Sequence, residues 1–225
     1  LAAAGLLKAM SDQMEDPKSF ETLSKAALNK LLKATSDKKK AKELETVREA
    51  TETCLKSFPE NGSGEGAAAN GAAADGDDDQ KAAEIFLPFK LAFDTKNPRV
   101  VEEAMEGLHE LIAHGYLKGN CPFPSDPKRK VVDVMVEGVC ACGCINDEQV
   151  QMHIIRILQT AVVSEPSFVH GSSLLHSVRT CLTIHLGSSI PANKTAAKAA
   201  LSRIINIMMK RMEGGDVGEE GGAEG

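Results

Sequence analysis

The sequence has 225 residues, of which 42% are hydrophobic and 4% are aromatic. This length is enough for one good-sized core or one stack of repeats, and too short for several domains. Tryptophan is absent and alternating runs rich in Val, Ile and Thr are lacking, whereas residues that favour helices, such as Ala, Leu, Lys and Glu, are frequent. The composition therefore predicts an all-α fold.

The net charge of -6 is distributed unevenly along the chain. Residues 61–80 and 213–225 hold ten acidic residues and no basic one, so the remainder has 26 basic residues against 22 acidic ones. A nucleic-acid-binding domain needs basic residues clustered on one face, so no nucleic-acid partner is predicted. The one dense basic run contains Lys38, Lys39, Lys40 and Lys42. A solvated turn is the favoured interpretation of this run, with an acidic or phosphate contact as the alternative.

Compartment and membrane association are indicated by what the sequence lacks. The six cysteines have no paired spacing, which favours a reduced cytoplasmic compartment without disulfides. The apolar start from Leu1 to Leu7 lacks the basic region and cleavage signature of a secretory signal. No window approaches the roughly 18 apolar residues that a membrane span needs. Any membrane association is therefore expected to come indirectly, through a partner.

Two helices are predicted in residues 1–59. The first follows an N-cap at Asp16 and a proline at position 17, and its apolar residues recur at helical spacing for about 17 residues. The second begins near Asp37 and stops at Pro59, because the residue before a proline disfavours the α conformation. These helices are expected to form an N-terminal hairpin that belongs to the same domain as the rest of the chain.

Two acidic segments are predicted to lack a packed structure. Residues 60–80 consist mainly of Gly, Ala, Asn and Asp, and without bulky apolar residues they cannot offset the entropy of chain ordering. We expect a disordered acidic linker there. The pattern Gly62-x-Gly64-x-Gly66 is not read as a phosphate loop, because no strand precedes it and the acidic residues would repel a nucleotide. Residues 214–225 are predicted to form a flexible acidic tail.

Residues 81–213 have a denser helical pattern. Its first helix is apolar over most of its circumference, with Pro88 either kinking it or lying in its first turn. Five further helix starts are predicted at Asn97-Pro98, Asp126-Pro127, Asn146-Asp147, Gly171 and Asn193. Alternate starts are 45 to 49 residues apart, close to the ~40–47 residues of a HEAT or armadillo pair. The pattern predicts an armadillo/HEAT-like helical repeat array with an extended surface for partners.

No catalytic residue, cofactor site or metal site is predicted. Cys140, Cys142 and Cys144 lie close together, but a structural zinc site needs four tetrahedral ligands and no second cysteine pair exists. Small, buried residues at a helix end are the preferred interpretation of these cysteines. None of the six histidines belongs to a His-Glu-x-x-His motif, and a Gly-x-Ser-x-Gly nucleophile motif is absent.

Several longer strings carry a resemblance to a known family. They are Ile85-Phe-Leu-Pro-Phe-Lys-Leu-Ala92, Asn97-Pro-Arg-Val100, Leu108-His-Glu-Leu-Ile-Ala-His-Gly-Tyr-Leu-Lys-Gly-Asn120, Ser177-Val-Arg-Thr-Cys181, Thr195-Ala-Ala-Lys198 and Met208-Met-Lys-Arg-Met-Glu213. Taken in this order, they resemble the N-terminal dimerisation and cyclophilin-binding (DCB) domain of BIG-type, brefeldin A-inhibited Arf guanine-nucleotide-exchange factors. The similarity is close over about residues 82–213 and looser over 19–58.

The resemblance implies a non-catalytic regulatory and targeting domain. Its expected partners are an activated Arf-like small GTPase, a second copy of the domain, and the neighbouring homology domain of the parent exchange factor. Its expected location is cytoplasmic, peripheral on trans-Golgi membranes, which it reaches only through the GTPase. The Phe-Arg-Leu-Pro-Gly-Glu motif of the catalytic exchange domain is absent. This chain is therefore expected not to be an enzyme, although its parent protein would be an exchange factor.

The resemblance also places the GTPase-facing stretch at His109, Glu110, Ala113 and His114. The family often has a basic residue at the position of Glu110 and a tyrosine at the position of His114. The helical pattern of residues 98–114 independently leaves this stretch outside the predicted core face, or at its margin. The alternative function is that of a generic HEAT-like interaction scaffold unrelated to Arf exchange, with this stretch as an ordinary solvated helix surface.

Overall fold

The computed structural model describes residues 20–36, 41–58, 75–117, 121–164 and 169–215. The predicted cap at Asp16-Pro17, the run from Lys38 to Lys40 and the end of the predicted tail lie outside these ranges. The described helices are α1 (Phe20–Ala34), α2 (Ala41–Ser57), α3 (Asp75–Asp94), α4 (Pro98–Ala113), α5 (Val131–Ala141), α6 (Glu148–Val163), α7 (Gly171–Gly187) and α8 (Pro191–Gly215). Two short strands, β1 (Pro122–Phe123) and β2 (Asp126–Lys130), lie between α4 and α5. The all-α prediction is confirmed.

The eight described helices pack in two layers. In one layer α1, α4, α6 and α8 are neighbours in that order, and in the other α2, α3, α5 and α7 are neighbours. Across the layers, α1 packs on α2, α3 on α4, α5 on α6, and α7 on α8. Stacked helix pairs that share a continuous core are typical of HEAT and armadillo arrays. The predicted repeat-like helical fold is therefore confirmed.

A continuous hydrophobic core of described residues joins the two layers. The phenylalanines Phe86, Phe89 and Phe93 of α3 are fully buried in it. The helices α1 and α4 approach especially closely at Gly107, where an added Cβ would lie 2.8 Å from the Cβ of Ala27. Only glycine at this position allows α1 to lie against α4 at this distance.

The predicted helix start at Asp126-Pro127 is wrong. Residues 126–130 form β2, which pairs antiparallel with β1, and α5 begins only at Val131. The carboxylate of Asp126 accepts a hydrogen bond from the backbone nitrogen of Lys128 at 3.3 Å, a contact within β2 that does not cap a helix. Phe123 anchors the hairpin, since its buried ring packs edge-on against Phe86 with centroids 6.1 Å apart.

The predicted cap at Asn193 is also wrong, because α8 begins two residues earlier at Pro191. Asn193 is buried inside the helix, and its side-chain nitrogen donates to the backbone oxygen of Glu148 at 3.1 Å and to Oε1 of Gln151 at 3.2 Å. These bonds join α8 to α6. By contrast, the predicted start at Asp147 is confirmed, because its carboxylate accepts hydrogen bonds from the backbone nitrogens of residues 149 and 150.

The helix α3 is longer at its start than predicted. It begins at Asp75, so residues 75–80 of the predicted linker are helical, whereas residues 60–74 lie outside the described residues. Pro88 lies inside α3 and not in its first turn. No helix in the described part of the chain is long and apolar enough to cross a membrane.

Candidate partner-binding surface

The predicted core face of α4 is confirmed. Its members are buried, namely Val101, Ala104, Met105, Leu108, Leu111 and Ile112. The four candidate residues lie elsewhere on the last turns of this helix: His109 and Glu110 are partly exposed, whereas Ala113 and His114 are exposed. The structure thus brings the four side chains to one end of α4. None of them belongs to the helix's core face, so a partner can reach them without unfolding the helix.

His109 lies at the boundary between α4 and α6. Its Nε2 atom is 3.2 Å from the hydroxyl oxygen of Thr160 on α6. Burial lowers the pKa of His109, and the positive charge of Arg156 together with His153 lowers it further. The imidazole is therefore neutral at neutral pH, and it contributes a hydrogen-bonding contact between two helices as well as a polar edge to the surface.

His153 and Arg156 extend this surface onto α6, and sequence reasoning did not identify them as members. Burial lowers the pKa of His153, with Arg156 as the next cause. The Nδ1 atom of His153 is buried and has no hydrogen-bond partner among the described residues. Arg156 is exposed one helical turn away. Only the packing of α4 against α6 brings these side chains near His109, so the sequence carried no local signal for them.

A row of carboxylates gives the surface of α4 an acidic character. It consists of Glu103, Glu106 and Glu110, all partly exposed. Lys30 of α1 lies beside the row, with its ammonium nitrogen 3.0 Å from Oε1 of Glu106. The hydrogen bond with Glu106, together with the charges of the row, raises the pKa of Lys30. The side chains of Lys30 and Glu106 are 46% and 42% exposed, so the contribution of this ion pair to stability is small.

A glycine turn ends α4 beside the candidate residues. Gly115 has a φ of 72°, and its N–H donates to the oxygen of Ile112 at 3.0 Å. The N–H of Tyr116 donates to the oxygen of Leu111, also at 3.0 Å. Together these bonds form the Schellman motif that commonly closes helices. Nδ1 of His114 lies 2.8 Å from the backbone oxygen of Glu110, so this side chain is held against its own helix.

The cysteine group has the environment of packing residues. Cys142 is buried, Cys140 is partly exposed and Cys144 is exposed. Burial raises the pKa of Cys142 to about 11, which keeps this thiol protonated at neutral pH. Among the described residues no three His, Cys, Asp or Glu side chains are grouped so that they could hold a metal ion. The absence of zinc stays a prediction for elemental analysis.

Comparison with known proteins agrees with this architecture. Residues 16–216 match the family described as the Mon2/Sec7/BIG1-like dimerisation and cyclophilin-binding domain. The chain is 42% identical to human brefeldin A-inhibited guanine nucleotide-exchange protein 1 over 135 residues, which are 59% of this chain and 7% of the human protein. It is 34% identical to brefeldin A-inhibited guanine nucleotide-exchange protein 3 of Arabidopsis thaliana over 194 residues. These are 83% of this chain and 11% of the plant protein.

The chain thus spans only a small part of the relatives that it matches, 7% of the human protein and 11% of the plant protein. The family match, in contrast, covers nearly all of this chain and includes all of the described helices. The resemblance inferred from the strings at residues 85–120 and 177–213 is confirmed by this match. The chain therefore belongs to the Mon2/Sec7/BIG1-like dimerisation and cyclophilin-binding domain family.

Proposed function

We propose that this chain is the regulatory and targeting domain of a Golgi Arf guanine-nucleotide-exchange factor. It has no exchange activity of its own, associates with itself or with the neighbouring homology domain, and binds an activated Arf-like small GTPase. Binding of the GTPase recruits the parent protein to the cytoplasmic face of trans-Golgi membranes. Two observations support this proposal: the family is described as a dimerisation domain, and its named relatives are guanine nucleotide-exchange proteins.

The GTPase-binding part of the proposal rests on the geometry of α4. One side of this helix fills the core, so that the end formed by His109, Glu110, Ala113 and His114 is held rigidly on a packed support. Ala113 is exposed and has a small side chain, so a partner can come close to the helix backbone there. A rigid, accessible helix end of this kind suits recognition with little loss of conformational entropy.

The charges of the surface indicate the chemistry of the partner. Lys30 lies beside Glu103, Glu106 and Glu110 on this side, while Arg156 supplies a positive charge on the α6 side. A partner with a basic group opposite the row of glutamates would complement this surface. Because the family often has a basic residue where this chain has Glu110, the complementary residue of the GTPase is expected to differ in charge from that of other family members.

A binding experiment tests the proposal directly. Arf-like GTPases loaded with a non-hydrolysable GTP analogue or with GDP are immobilised, and retention of the purified chain is compared. Selective retention by the GTP form is expected. Equal retention by both forms, or none by either, would contradict the proposal and favour the alternative of a generic HEAT-like interaction scaffold. Adding the chain to an exchange assay tests the other part, since nucleotide release from an Arf protein should stay at its spontaneous rate.

A further inference from the structure

Three aromatic rings form a continuous run from the candidate surface on α4 to the start of α1. The rings of His114 and Tyr116 are nearly parallel, with an angle of 7° and centroids 6.1 Å apart. The ring of Tyr116 in turn contacts Phe20, with centroids 5.4 Å apart and an angle of 59°. Both distances lie in the range of favourable aromatic pairs. Phe20 itself packs against the hydrophobic core, so the run is anchored at that end.

The backbone also holds Tyr116 in place. The Schellman motif after α4 sets the direction of the chain at Tyr116, and the next residue, Leu117, is buried. Tyr116 itself is only partly buried, and its ring neighbour His114 is exposed. An aromatic side chain that is already ordered loses little entropy when a partner covers it, and such residues carry much of the energy of many protein interfaces.

We infer that Tyr116 is a further contact residue of this surface and that Phe20 positions it. This inference rests on the proposed function, because it extends the GTPase-binding surface from α4 to α1. The flat rings of Tyr116 and His114 suit an apolar side chain of the GTP-loaded GTPase, and the glutamates on the neighbouring turns suit a basic group beside it.

The test compares two variants of one position. Tyr116→Leu keeps an apolar side chain that can pack on Phe20, but it removes the flat ring, whereas Tyr116→Phe keeps the ring. Affinity for a GTP-loaded Arf-like GTPase is measured by titration for the wild type and both variants. Tyr116→Leu is expected to weaken binding about three- to tenfold, which is the range of an aromatic pair. Tyr116→Phe should remain within about twofold of the wild type.

Further measurements separate the possible failures. The thermal midpoint should stay within about 2 °C of the wild type for Tyr116→Phe and within about 4 °C for Tyr116→Leu, which loses its ring contact with Phe20, so that weaker binding cannot be assigned to a lost fold. If Tyr116→Leu is less stable than this, Phe20→Leu, which leaves Tyr116 intact but removes the ring behind it, should weaken binding by a smaller factor. Equal affinities for wild type, Tyr116→Leu and Phe20→Leu would overturn the inference while the wild-type binding still supports the proposed function. Failure of the wild type to bind any GTP-loaded form would instead overturn the proposed function.

Discussion

The imidazole Nε2 of His109 and the hydroxyl oxygen of Thr160 lie 3.2 Å apart and connect α4 to α6. The hydroxyl can donate to a neutral imidazole nitrogen or accept from a protonated one, so the contact is compatible with either tautomer. A positive charge is disfavoured on both imidazole rings, because burial lowers the pKa of His109 and of the nearby His153.

The lowered pKa values of His109 and His153 predict that the stability of the chain depends on pH. Both histidines have a lower pKa in the folded chain than the value of about 6.5 expected when unfolded. Below that value the unfolded chain binds more protons than the folded one, so the free energy of unfolding falls as the pH falls. Urea unfolding at pH 7.5, 6.5 and 5.5 should show this loss, and a double variant, His109→Gln with His153→Gln, should lose less. The exposed His176→Gln serves as the control. An identical pH dependence of the double variant and the wild type would contradict the assignment.

The buried side of α4 predicts a large cost for one substitution. Leu108 is 0% exposed, so Leu108→Ala should lower the free energy of unfolding by about 2–5 kcal/mol. The matched control is Leu186→Ala, the same change at a side chain of α7 that is 70% exposed, where a change within about 0.5 kcal/mol is expected. Chemical denaturation measures both. Equal costs at the two positions would mean that α4 packs with a different face.

The contact between α1 and α4 predicts an unusual effect of a single methyl group. In Gly107→Ala the new Cβ would lie 2.8 Å from the Cβ of Ala27, which is too close for two carbon atoms. The two helices must therefore move apart, and a loss of about 1–3 kcal/mol is expected even though alanine favours helices more than glycine. The double variant Gly107→Ala with Ala27→Gly should recover part of the loss in a denaturation experiment. A more stable Gly107→Ala would show that the helices are farther apart in solution.

The exposed end of α4 predicts a loss of binding without a loss of fold. Ala113→Arg places a long charged side chain in the proposed contact, so the affinity for a GTP-loaded Arf-like GTPase should fall more than tenfold, or ~1.4 kcal/mol. The control Ala199→Arg makes the same change at an exposed position of α8 and should leave the affinity unchanged. Titration gives both affinities, and melting curves should be superimposable. Unchanged binding by Ala113→Arg would remove this position from the proposed interface.

The cysteines at the end of α5 predict a protein without stoichiometric zinc. A structural zinc site needs four ligands, and among the described residues no group of three or more His, Cys, Asp or Glu side chains could hold a metal ion. Elemental analysis of protein purified without chelators should find well under one zinc per chain. Cys144→Ser, a change at an exposed cysteine, should leave the melting temperature unaltered. One bound zinc per chain that is lost in this variant would show that the cysteines form a metal site.

The sequence predicts α4 well because its signals are local. Asn97-Pro98 begins the helix, the apolar spacing sets its buried face, and the turn at Gly115 ends it. The failures at Asp126 and Asn193 share one physical cause. Each residue type caps helices and also occurs in turns, strands and polar networks, and the contacts that decide between these roles join residues that are distant in the sequence. The hairpin that contains Asp126 is held by the packing of Phe123 against Phe86. Asn193 forms its hydrogen bonds with Glu148 and Gln151 only in the folded array.

The candidate surface is predicted less completely for the same reason. Its four residues on α4 follow from the resemblance and from the helical spacing. His153 and Arg156 join them only because α6 packs beside α4, and Lys30 only because α1 packs on the other side. A pattern within one helix cannot show which helices will be its neighbours. The electrostatic character of the surface is therefore a property of the array and not of the α4 sequence.

The order of helices in the first layer has a consequence for how the chain folds during synthesis. The neighbour of α1 in that layer is α4. The residues of α4 are translated long after those of α1, because α2, residues 60–74 and α3 lie between the two helices in the sequence. Until residue 113 has left the ribosome, α4 cannot cover the face of α1 that holds Ala27. Closing so long a loop costs only slightly more entropy than closing a short one, but the contact must wait for its partner. The N-terminal helices are thus expected to acquire their native packing after the middle of the array has been made, against the direction of translation.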